Sequence, residues 1–362
     1  MPDDAADYDL LSIRQLKQVA GPAPQPYRVQ AQVEAVSTRE TSQGKPFLEV
    51  KLADGTEAFT WRVFDANPLF ADVSSLRKES WIELAAHWVD AGKFGMEPRN
   101  AAFRSLNDDE VAALLAGDEE SRDRLLADYG SITSLVDSIG DPRLRGICAL
   151  FLQTHGDRFR RAAAARNFHH ARRGGLVEHV AQMMRCAVKI AEAYPALNRD
   201  LLIAGVLFHD CGKLWENQYA EQGFTMPYNL HGELVGHIAL GLEVVNKLWR
   251  QLLDSPEAAM WTILQPAGEM VRLHLLHLIG SHHGEMQFGS PVLPKTPEAI
   301  VLHYVDNIDA KLEMLRRAYD TSAELGNGIF EKVYPLPQNI VKPLAKVSGF
   351  PEEDGAGKKD DE

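Results

Sequence analysis

The chain has 362 residues, 45% hydrophobic and 25% charged, which is long enough for two domains with buried cores. It contains no run of 18 apolar residues, which rules out a membrane-spanning helix, and its three cysteines form no CxxC pair, which argues against a disulfide framework or a cysteine-ligated zinc. The acidic N-terminus predicts a cytoplasmic protein, and the net charge of −13 counts against a nucleic-acid partner only if the charge is evenly spread.

The charge is unevenly distributed. Residues 105–157 carry 11 acidic and 4 basic side chains, whereas residues 158–173 carry six arginines and no acid, with Phe159 and Phe168 among them. This basic stretch either grips the phosphates of a single strand, or forms a solvated helix face that pairs with the acidic residues 105–130. For the first alternative, the residues predicted to contact the strand are Arg166, His169, His170, Arg172 and Arg173.

Residues 1–26 form an N-terminal segment, and polar and apolar residues then alternate with a period of two. Strands are predicted at 27–37, 46–53, 56–63 and 81–89, with a fifth after Gly92. Five short strands suit a small closed barrel, because closure leaves no exposed edge. The run GKPFLEVKLADGTEAFTWRVF resembles the first three strands of an OB-fold. We therefore predict an OB-fold nucleic-acid-binding domain over residues 27–104.

Aromatic side chains of this domain have two alternative roles. Phe47 and Trp61 are candidates for stacking on the bases of a single strand, as aromatic residues do in proteins that bind single-stranded nucleic acid. Phe59, Trp61 and Val63 share one strand face, however, and the alternative is that they fill the barrel core.

From Asn107 onward, apolar residues recur at the helical spacing of three and four. Residues 105–130 are predicted to be an acidic linker or short helix with an N-cap at NDDE. Helices are then predicted at 131–154, 175–194, 198–210, 231–253, 268–281 and 297–320. Since no strand pattern recurs, we predict an all-α domain over residues 131–335 and a C-terminal tail over 336–362 that is disordered at its end.

Histidines concentrate in the helical region, where twelve of the thirteen lie after residue 150. In the run LLIAGVLFHDCGKLWE, a helix that is apolar on nearly all sides ends in His209 and Asp210. A buried imidazole and carboxylate at one point need partners, and a metal ion supplies them. Four other helices carry similar groups on apolar faces: His179, His237, His282 with His283, and Asp306. Five helices with such residues together predict a shared metal centre.

The types and number of these ligands narrow the prediction. Nitrogen and oxygen ligands suit Mn²⁺, Co²⁺, Fe²⁺, Ni²⁺ or Zn²⁺ better than Mg²⁺. Six or seven ligands exceed what one ion needs, so we infer two divalent ions, with Asp210 as the bridging ligand because a carboxylate has two oxygens to share. Two such ions activate water and offset charge on phosphoryl oxygens, which predicts phosphodiester or phosphomonoester hydrolysis.

Several neighbouring residues have secondary roles in this prediction. Lys213 either binds a phosphate oxygen or assists the leaving group, or is a solvated cation at a helix end. Asp309 is expected to support the site or cap a helix rather than bind metal, and Glu178 is expected to face solvent. His231 is an alternative to His237 as a ligand.

The order H…HD…H…HH…D is similar to that of the HD-domain metal-dependent phosphohydrolases. The runs HHARRGGLVEHV, LFHDCGKLWE, GELVGHI, IGSHHGEMQFGSPVLPKTPEA and LHYVDNIDAK, preceded by an OB-fold, resemble the bacterial YhaM-like 3′→5′ exoribonucleases over about residues 27–335. The resemblance implies that Asp210 and Lys213 are catalytic and that the substrate is single-stranded RNA, shortened from its 3′ end. It leaves single-stranded DNA open as a further substrate, permits a homo-oligomer, and implies no membrane partner.

Two other functions remain alternatives. The first is an HD phosphohydrolase that acts on a small or cyclic nucleotide, with the OB-like domain in a regulatory role. The second is a non-catalytic protein that binds single strands and holds a structural metal, although the complete set of ligands argues against it. Shortening of a 5′-labelled RNA from its 3′ end separates the exoribonuclease from both.

Overall fold

The first part of the computed structural model is a curved antiparallel sheet that follows the predicted alternation. Its elements are β1 (Asp9–Leu10), α1 (Ile13–Val19), β2 (Gln25–Glu40), β3 (Pro46–Ala53), β4 (Ala58–Phe64), α2 (Phe70–Ser74), β5 (Trp81–Asp90) and β6 (Met96–Ser105). The structure describes residues 7–92, 95–166 and 170–345, apart from the side chains of residues 320 and 321. It divides into two compact units, Met1–Ala310 and Lys311–Glu362, and each is described by itself.

The strand order is β4-β3-β2-β5-β6, with every neighbouring pair antiparallel. Alternate residues of β2, namely Val29, Ala31 and Val33, point into the core and are at most 1% exposed. The two edge strands approach each other where Trp61 of β4 contacts Phe103 of β6, with ring centroids 6.1 Å apart. The sheet is therefore the OB-like domain that the sequence predicts.

The N-terminal segment belongs to this domain, which differs from the predicted start at residue 27. β1 pairs in parallel with β2, and α1 begins at a capping box formed by Ser12 and Gln15. Ile13 and Leu16 of α1 are fully buried in the barrel core, and the Ile13 N–H donates to Asp54 Oδ2 over 2.7 Å. A seven-residue helix of about two turns is too short to be recognised from periodicity alone.

The helical part of the first unit begins at the predicted N-cap, because Asn107 and Glu110 form a capping box. Its helices are α3 (Asp108–Ala116), α4 (Glu119–Asp137), α5 (Pro142–Arg161), α6 (Gly175–Ala193), α7 (Arg199–Phe208), α8 (Lys213–Glu216), α9 (Leu230–Leu253), α10 (Gly268–Ser281) and α11 (Pro297–Thr321). Two short 3₁₀ helices lie at Pro256–Ile263 and Met286–Phe288. The single helix predicted at 131–154 is wrong, because Pro142 starts a new helix there.

One buried core joins α4 to α11, whereas α3 contributes no buried residue to it. α7 contributes most completely, since every residue from Leu201 to Phe208 is buried. A helix that is apolar on all sides lies in the interior of a domain, so its C-terminal end delivers the following residues to the interior as well. None of the helices found among the described residues is both long and apolar enough to cross a lipid bilayer.

The second unit contains a small three-stranded sheet, which corrects the prediction that no strand follows Asn107. Its strands are β7 (Glu324–Gly326), β8 (Ile329–Phe330) and β9 (Ile340–Val341), in the order β7-β8-β9. They pack around Ala318, Phe330, Leu336 and Ile340. Strands of two or three residues are too short to show a period of two. The predicted disordered end of the tail, residues 346–362, lies outside the described residues.

Candidate metal centre

Helix ends and buried helix faces bring the seven predicted ligands into one place. His179 lies on α6, His209 and Asp210 end α7, His237 lies on α9, His282 and His283 end α10, and Asp306 lies on α11. His179 and His209 are fully buried, and Asp210 and His282 are 1% exposed. His231, the alternative to His237, is exposed at the start of α9. The structure therefore places His237, and not His231, among these side chains.

The Asp210 carboxylate separates the imidazoles into two groups. Its Oδ2 lies 3.2 Å from His209 Nε2 and 3.7 Å from His179 Nε2. Its Oδ1 lies 3.6 Å from His237 Nε2 and 3.7 Å from His282 Nε2. The two oxygens of one carboxylate thus face two different sets of imidazoles.

Two more side chains complete these groups. Asp306 Oδ1 lies 3.4 Å from His179 Nε2, and His283 Nε2 lies 3.3 Å from His237 Nε2. We name His179, His209 and Asp306 the first half-site, and His237, His282 and His283 the second half-site. Asp210 lies between the two half-sites and contacts both.

Each imidazole of the two half-sites uses its Nδ1 atom for a hydrogen bond outside the centre. The acceptors and distances are Val206 O for His209 (2.8 Å), Ile279 O for His282 (2.7 Å), Phe288 O for His283 (2.7 Å), Asp309 Oδ2 for His179 (2.7 Å) and Glu216 Oε2 for His237 (3.1 Å). A backbone carbonyl only accepts, so the three imidazoles bound to carbonyls carry their proton on Nδ1. Their Nε2 lone pairs then point into the centre, which is the arrangement of metal-binding histidines.

Two buried atoms of the centre have no hydrogen-bond partner among the described residues. They are Asp210 Oδ1 and His282 Nε2, and both are acceptors. An unsatisfied buried polar atom costs about 1–3 kcal/mol, and two acceptors that face each other cannot satisfy one another. A divalent cation would satisfy both, so the donor set fits a metal ion with nitrogen and oxygen ligands.

Charges at the centre shift the pKa values of its members in opposite directions. Burial would raise the pKa of Asp210, but Lys213 and His209 hold it well below the usual value. Burial and the neighbouring His209 lower the pKa of His282, and burial and His237 lower that of His283. Asp210 is therefore ionised and the two imidazoles are neutral at neutral pH, which are the states that bind a cation.

His179 behaves differently from the other imidazoles. Burial alone would lower its pKa, but hydrogen bonds to Asp306 and Asp309 raise it to about 9. His179 therefore carries a proton at neutral pH, and a cation that binds its Nε2 must displace that proton.

Asp309 supports the first half-site, in line with its expected role. Its Oδ2 accepts from His179 Nδ1 and lies 2.9 Å from His170 Nε2. Burial would raise the pKa of Asp309, but the hydrogen bonds to His170 and His179 lower it, so the carboxylate stays ionised. Glu178, expected to face solvent, is half-buried and contacts Arg172 and His170, which lower its pKa to about 2 against the effect of burial.

The basic stretch mostly fastens a neighbouring loop, which corrects both alternatives proposed for it. The partners are Leu214 O for Arg158, Asp157 for Arg160, Glu221 for Arg161, the carbonyls of Glu216, Met226 and Pro227 for Arg166, Glu178 for Arg172, and the carbonyls of Ala220, Glu221 and Gly223 for Arg173. Because every residue has a backbone carbonyl, the sequence does not show that the carbonyls of residues 214–227 accept hydrogen bonds from these guanidinium groups. Arg172 and Arg173 are thereby engaged within the protein rather than presented to RNA.

Two more of the predicted RNA contacts are contradicted by burial. His170 is 4% exposed and contacts carboxylates, and Trp61 is 1% exposed inside the barrel, where Phe59 and Val63 are buried with it. Trp61 therefore fills the core, as the alternative prediction had it, and cannot stack on a base. His169 lies outside the described residues.

Phe47 keeps an accessible position on the barrel. Its ring is half-buried and stacks on Phe64, with centroids 5.4 Å apart and planes 28° apart. Phe64 is 47% exposed and was missed in the sequence, where its position at the end of a predicted strand carried no signal.

A cleft of about 330 Å³ opens onto the second half-site. Its lining residues are Ala164, Ala165, Arg166, Lys213, Glu216, Asn217, Glu233, His237 and His283. The Lys213 ammonium donates to Asp210 Oδ2 over 2.6 Å. The cleft therefore leads from the surface to the carboxylate that both half-sites share.

Comparison with known proteins adds three findings. A family model described as the HD domain matches residues 176–311, the segment that holds all seven predicted ligands. The 3'-5' exoribonuclease YhaM of Geobacillus sp. (strain WCH70) is 31% identical over 316 residues, which span 86% of this chain and 90% of that protein. A replication factor A related protein of Methanobacterium thermoautotrophicum aligns with 28% of this chain and 94% of its own, at 14% identity and a TM-score of 0.22, too low to support an argument.

Proposed function

Since this chain belongs to the family of the 3'-5' exoribonuclease YhaM and is an HD-domain hydrolase, we propose that it shortens single-stranded RNA from the 3′ end at a centre of two divalent cations. Each turnover adds water across the last phosphodiester bond. It leaves a 3′ hydroxyl on the shortened chain and releases a nucleoside 5′-monophosphate. The observation that carries the proposal is the Asp210 carboxylate, whose two oxygens face two separate sets of imidazoles.

The two half-sites supply the residues for these cations. His179, His209, Asp306 and Asp210 Oδ2 would hold one ion, and His237, His282, His283 and Asp210 Oδ1 the other. Mixed nitrogen and oxygen ligands suit Mn²⁺, which we propose as the cofactor, and also Co²⁺, Fe²⁺, Ni²⁺ and Zn²⁺. When bound, such ions acidify a water molecule and offset the charge on phosphoryl oxygens.

Among the described residues, Lys213 is the cation that lies nearest to the shared carboxylate. It lines the cleft and is 9% exposed, so its charge acts in a poorly solvated place. We propose that it binds a non-bridging oxygen of the phosphate that is cleaved. Its pairing with Asp210 holds the ammonium at the floor of the cleft until the phosphate arrives.

The barrel would guide the strand to the helical part. The accessible ring pair of Phe47 and Phe64 offers a surface on which bases can stack, and Arg62 lies on β4, two residues before Phe64. Stacking on aromatic rings does not depend on sequence, which fits a nuclease that removes successive nucleotides. The bases of single-stranded DNA present the same kind of aromatic face, so single-stranded DNA is a second candidate substrate.

The proposal is tested with 5′-labelled single-stranded RNA and Mn²⁺. The wild-type protein is expected to produce a ladder that shortens from the 3′ end. Asp210→Asn removes the charge shared by both half-sites and is expected to abolish the ladder and the binding of Mn²⁺. Lys213→Ala is expected to lower the rate about 100-fold or more while Mn²⁺ still binds.

Other outcomes have a definite meaning. Hydrolysis of mononucleotides with no shortening of RNA would favour the alternative of a small-nucleotide phosphohydrolase. A ladder that persists in Asp210→Asn would place the activity elsewhere.

A further inference from the structure

The cleft beside the second half-site has one wall formed by Ala164, Ala165 and Arg166. The chain that leads into this wall is held by an isolated β-bridge between Ala162 and Gln218 and by the Ala163 N–H, which donates to the carbonyl of Asn217 over 3.1 Å. These bonds fix the Arg166 wall and the Asn217 wall against each other. The cleft is therefore preformed rather than assembled around a ligand.

Tyr228 presents an exposed ring beside this cleft. Its side chain is 77% exposed, and the guanidinium of Arg166, which lines the cleft, lies 4.2 Å from the ring centroid. Arg166 itself is fixed by the carbonyls of Glu216, Met226 and Pro227 at 2.8–3.0 Å. One face of the ring is thus held by a cation, and an aromatic ring that is exposed and held in place is a stacking surface.

Asn217 contributes a polar group to the same cleft. It is 4% exposed, its backbone N–H donates to Lys213 O, and its carbonyl accepts from Ala163. Its side-chain amide, by contrast, forms no hydrogen bond within the described residues, although it lines the cleft. An amide offers one acceptor and two donors, and hydroxyl groups of a sugar match both.

Lys213 and Asn217 line the same cleft, and Tyr228 contacts Arg166, a third residue of its lining. The Lys213 ammonium contacts the shared carboxylate of Asp210, and Asn217 follows at the end of α8. The ring of Tyr228 is 77% exposed. A phosphate at Lys213, a sugar at Asn217 and a base at Tyr228 are the three parts of one nucleotide.

We propose that this cleft binds the 3′-terminal nucleoside of the substrate, with its base stacked on Tyr228 and its ribose hydroxyls hydrogen-bonded to Asn217. The proposal rests on the proposed function, because it assigns the position of the nucleotide that this reaction releases. Stacking would make binding tolerant of base identity. The amide would make binding sensitive to the hydroxyl groups of the terminal sugar.

The role of Tyr228 is tested with an RNA trinucleotide, which is too short to depend on the barrel. Tyr228→Ala is expected to raise KM about tenfold and leave kcat within twofold, because stacking contributes binding to the ground state and the transition state alike. It is also expected to weaken binding of the trinucleotide in EDTA by a similar factor, as measured by calorimetry. Tyr194→Ala, which removes a 65% exposed tyrosine at the end of α6, is the matched control and should change neither quantity.

The role of Asn217 is tested by comparing trinucleotides that end in a ribose or in a 2′,3′-dideoxyribose. The wild-type protein should prefer the ribose end by about tenfold in kcat/KM, since the dideoxy end lacks the hydroxyl groups that would form hydrogen bonds with the Asn217 amide. In Asn217→Ala this preference should fall to within about twofold. Mn²⁺ content equal to that of the wild type shows that the variant is folded.

The results separate the subsite from the reaction. If the wild-type protein shortens RNA but Tyr228→Ala keeps the wild-type KM, or Asn217→Ala keeps the preference for a ribose end, the subsite is refuted and the proposed function stands. If the wild-type protein fails to shorten RNA at all, the proposed function fails, and the subsite with it.

Discussion

At the scale of single residues, the centre depends on groups that orient the imidazoles. Asp309 holds His179 of the first half-site, and also the neighbouring His170, through one oxygen, and Glu216 holds His237 through Nδ1. A carboxylate on Nδ1 fixes the ring and raises the basicity of Nε2, which strengthens its bond to a cation. Removing such a group should change metal affinity more than it changes the stability of the fold.

Asp309→Asn tests this at the first half-site. The neutral amide is a weaker acceptor for His179 Nδ1–H, so the affinity for Mn²⁺ is expected to fall about 10- to 100-fold. Calorimetric titration measures the affinity, and a melting temperature close to that of the wild type in EDTA shows that the fold is intact. Asp254→Asn, at an exposed position after α9, is the matched control. Equal affinity in Asp309→Asn and the control would contradict a positioning role.

Binding of Mn²⁺ should also depend on pH in a defined direction. The pKa of His179 is raised to about 9 in the metal-free protein, so below that pH the imidazole is protonated and must lose its proton to bind a cation. Between pH 6.5 and 9, affinity is expected to increase with pH, and about one proton should be released per protein at pH 7.5. Titrations in buffers of different ionisation enthalpy measure this number. No proton release would mean that His179 is already neutral.

At the scale of secondary structure elements, the half-sites depend on two helices that touch closely. Gly212 precedes α8, and a Cβ atom there would lie 1.9 Å from the carbonyl oxygen of His237 on α9. Only glycine allows this approach, which brings His237 towards Asp210. The G of the HDxGK run is therefore required by packing rather than by chemistry.

Gly212→Ala is expected to force α8 and α9 apart and to displace His237. Mn²⁺ bound per protein should fall from two to one, because the second half-site loses a ligand while the first is unchanged. Metal analysis after dialysis measures the ratio. Gly130→Ala is the control, since a Cβ atom at this position of α4 meets nothing within 4 Å and alanine favours a helix by about 1 kcal/mol over glycine. Two ions bound to Gly212→Ala would refute the packing argument.

At the scale of the whole molecule, the barrel and the helical part of the first unit meet at one buried ring. Phe224 is 5% exposed, its N–H donates to Gln32 Oε1 over 2.7 Å, and its ring contacts Trp81 with centroids 5.6 Å apart. Phe224 belongs to the loop that Arg166 and Arg173 fasten. The same loop therefore contacts the barrel on one side and the cleft on the other.

Phe224→Ala is expected to separate the two parts without damaging either. Loss of a buried phenyl ring lowers the free energy of unfolding by about 3–5 kcal/mol, and at Phe224 this loss falls on the contact between the two parts. Because the parts are then no longer coupled, thermal unfolding should change from one transition to two. KM for long RNA should rise while the KM for a trinucleotide stays unchanged, because the trinucleotide does not use the barrel. Leu126→Ala, at a 64% exposed position, is the control. A single transition and an unchanged KM for long RNA would contradict the proposed coupling.

The net charge of −13 is a second property of the whole molecule. The arginines of residues 158–173, the most basic stretch of the sequence, bind carbonyls and carboxylates of the protein itself. Charge counts along the chain could not reveal this, because the carbonyls that pair with Arg166 and Arg173 lie about 50 to 60 residues away. The folded protein therefore offers RNA fewer free cations than the sequence suggests, and the proposed grip relies on rings and bound metal ions.

The sequence by itself determined the two-domain order, the helical character of the second domain and the identity of the seven side chains that the centre contains. It could do so because alternation, helical spacing and polar groups on apolar faces are local signals that each element carries independently. It also left both roles of Trp61 open, since a strand face does not reveal whether a ring lies inside the barrel or outside it.

Only the tertiary structure decided how these residues are paired. Four features join residues that are distant in the chain or lie on different elements. They are the contacts of Asp210 with both half-sites, the contact of Glu216 with His237, the burial of His170 and the position of Tyr228 beside the cleft. Such contacts depend on how helices pack and where loops cross, and no local pattern encodes them. The ligands could be named from the sequence, whereas the geometry that would hold two ions and one nucleotide required the fold.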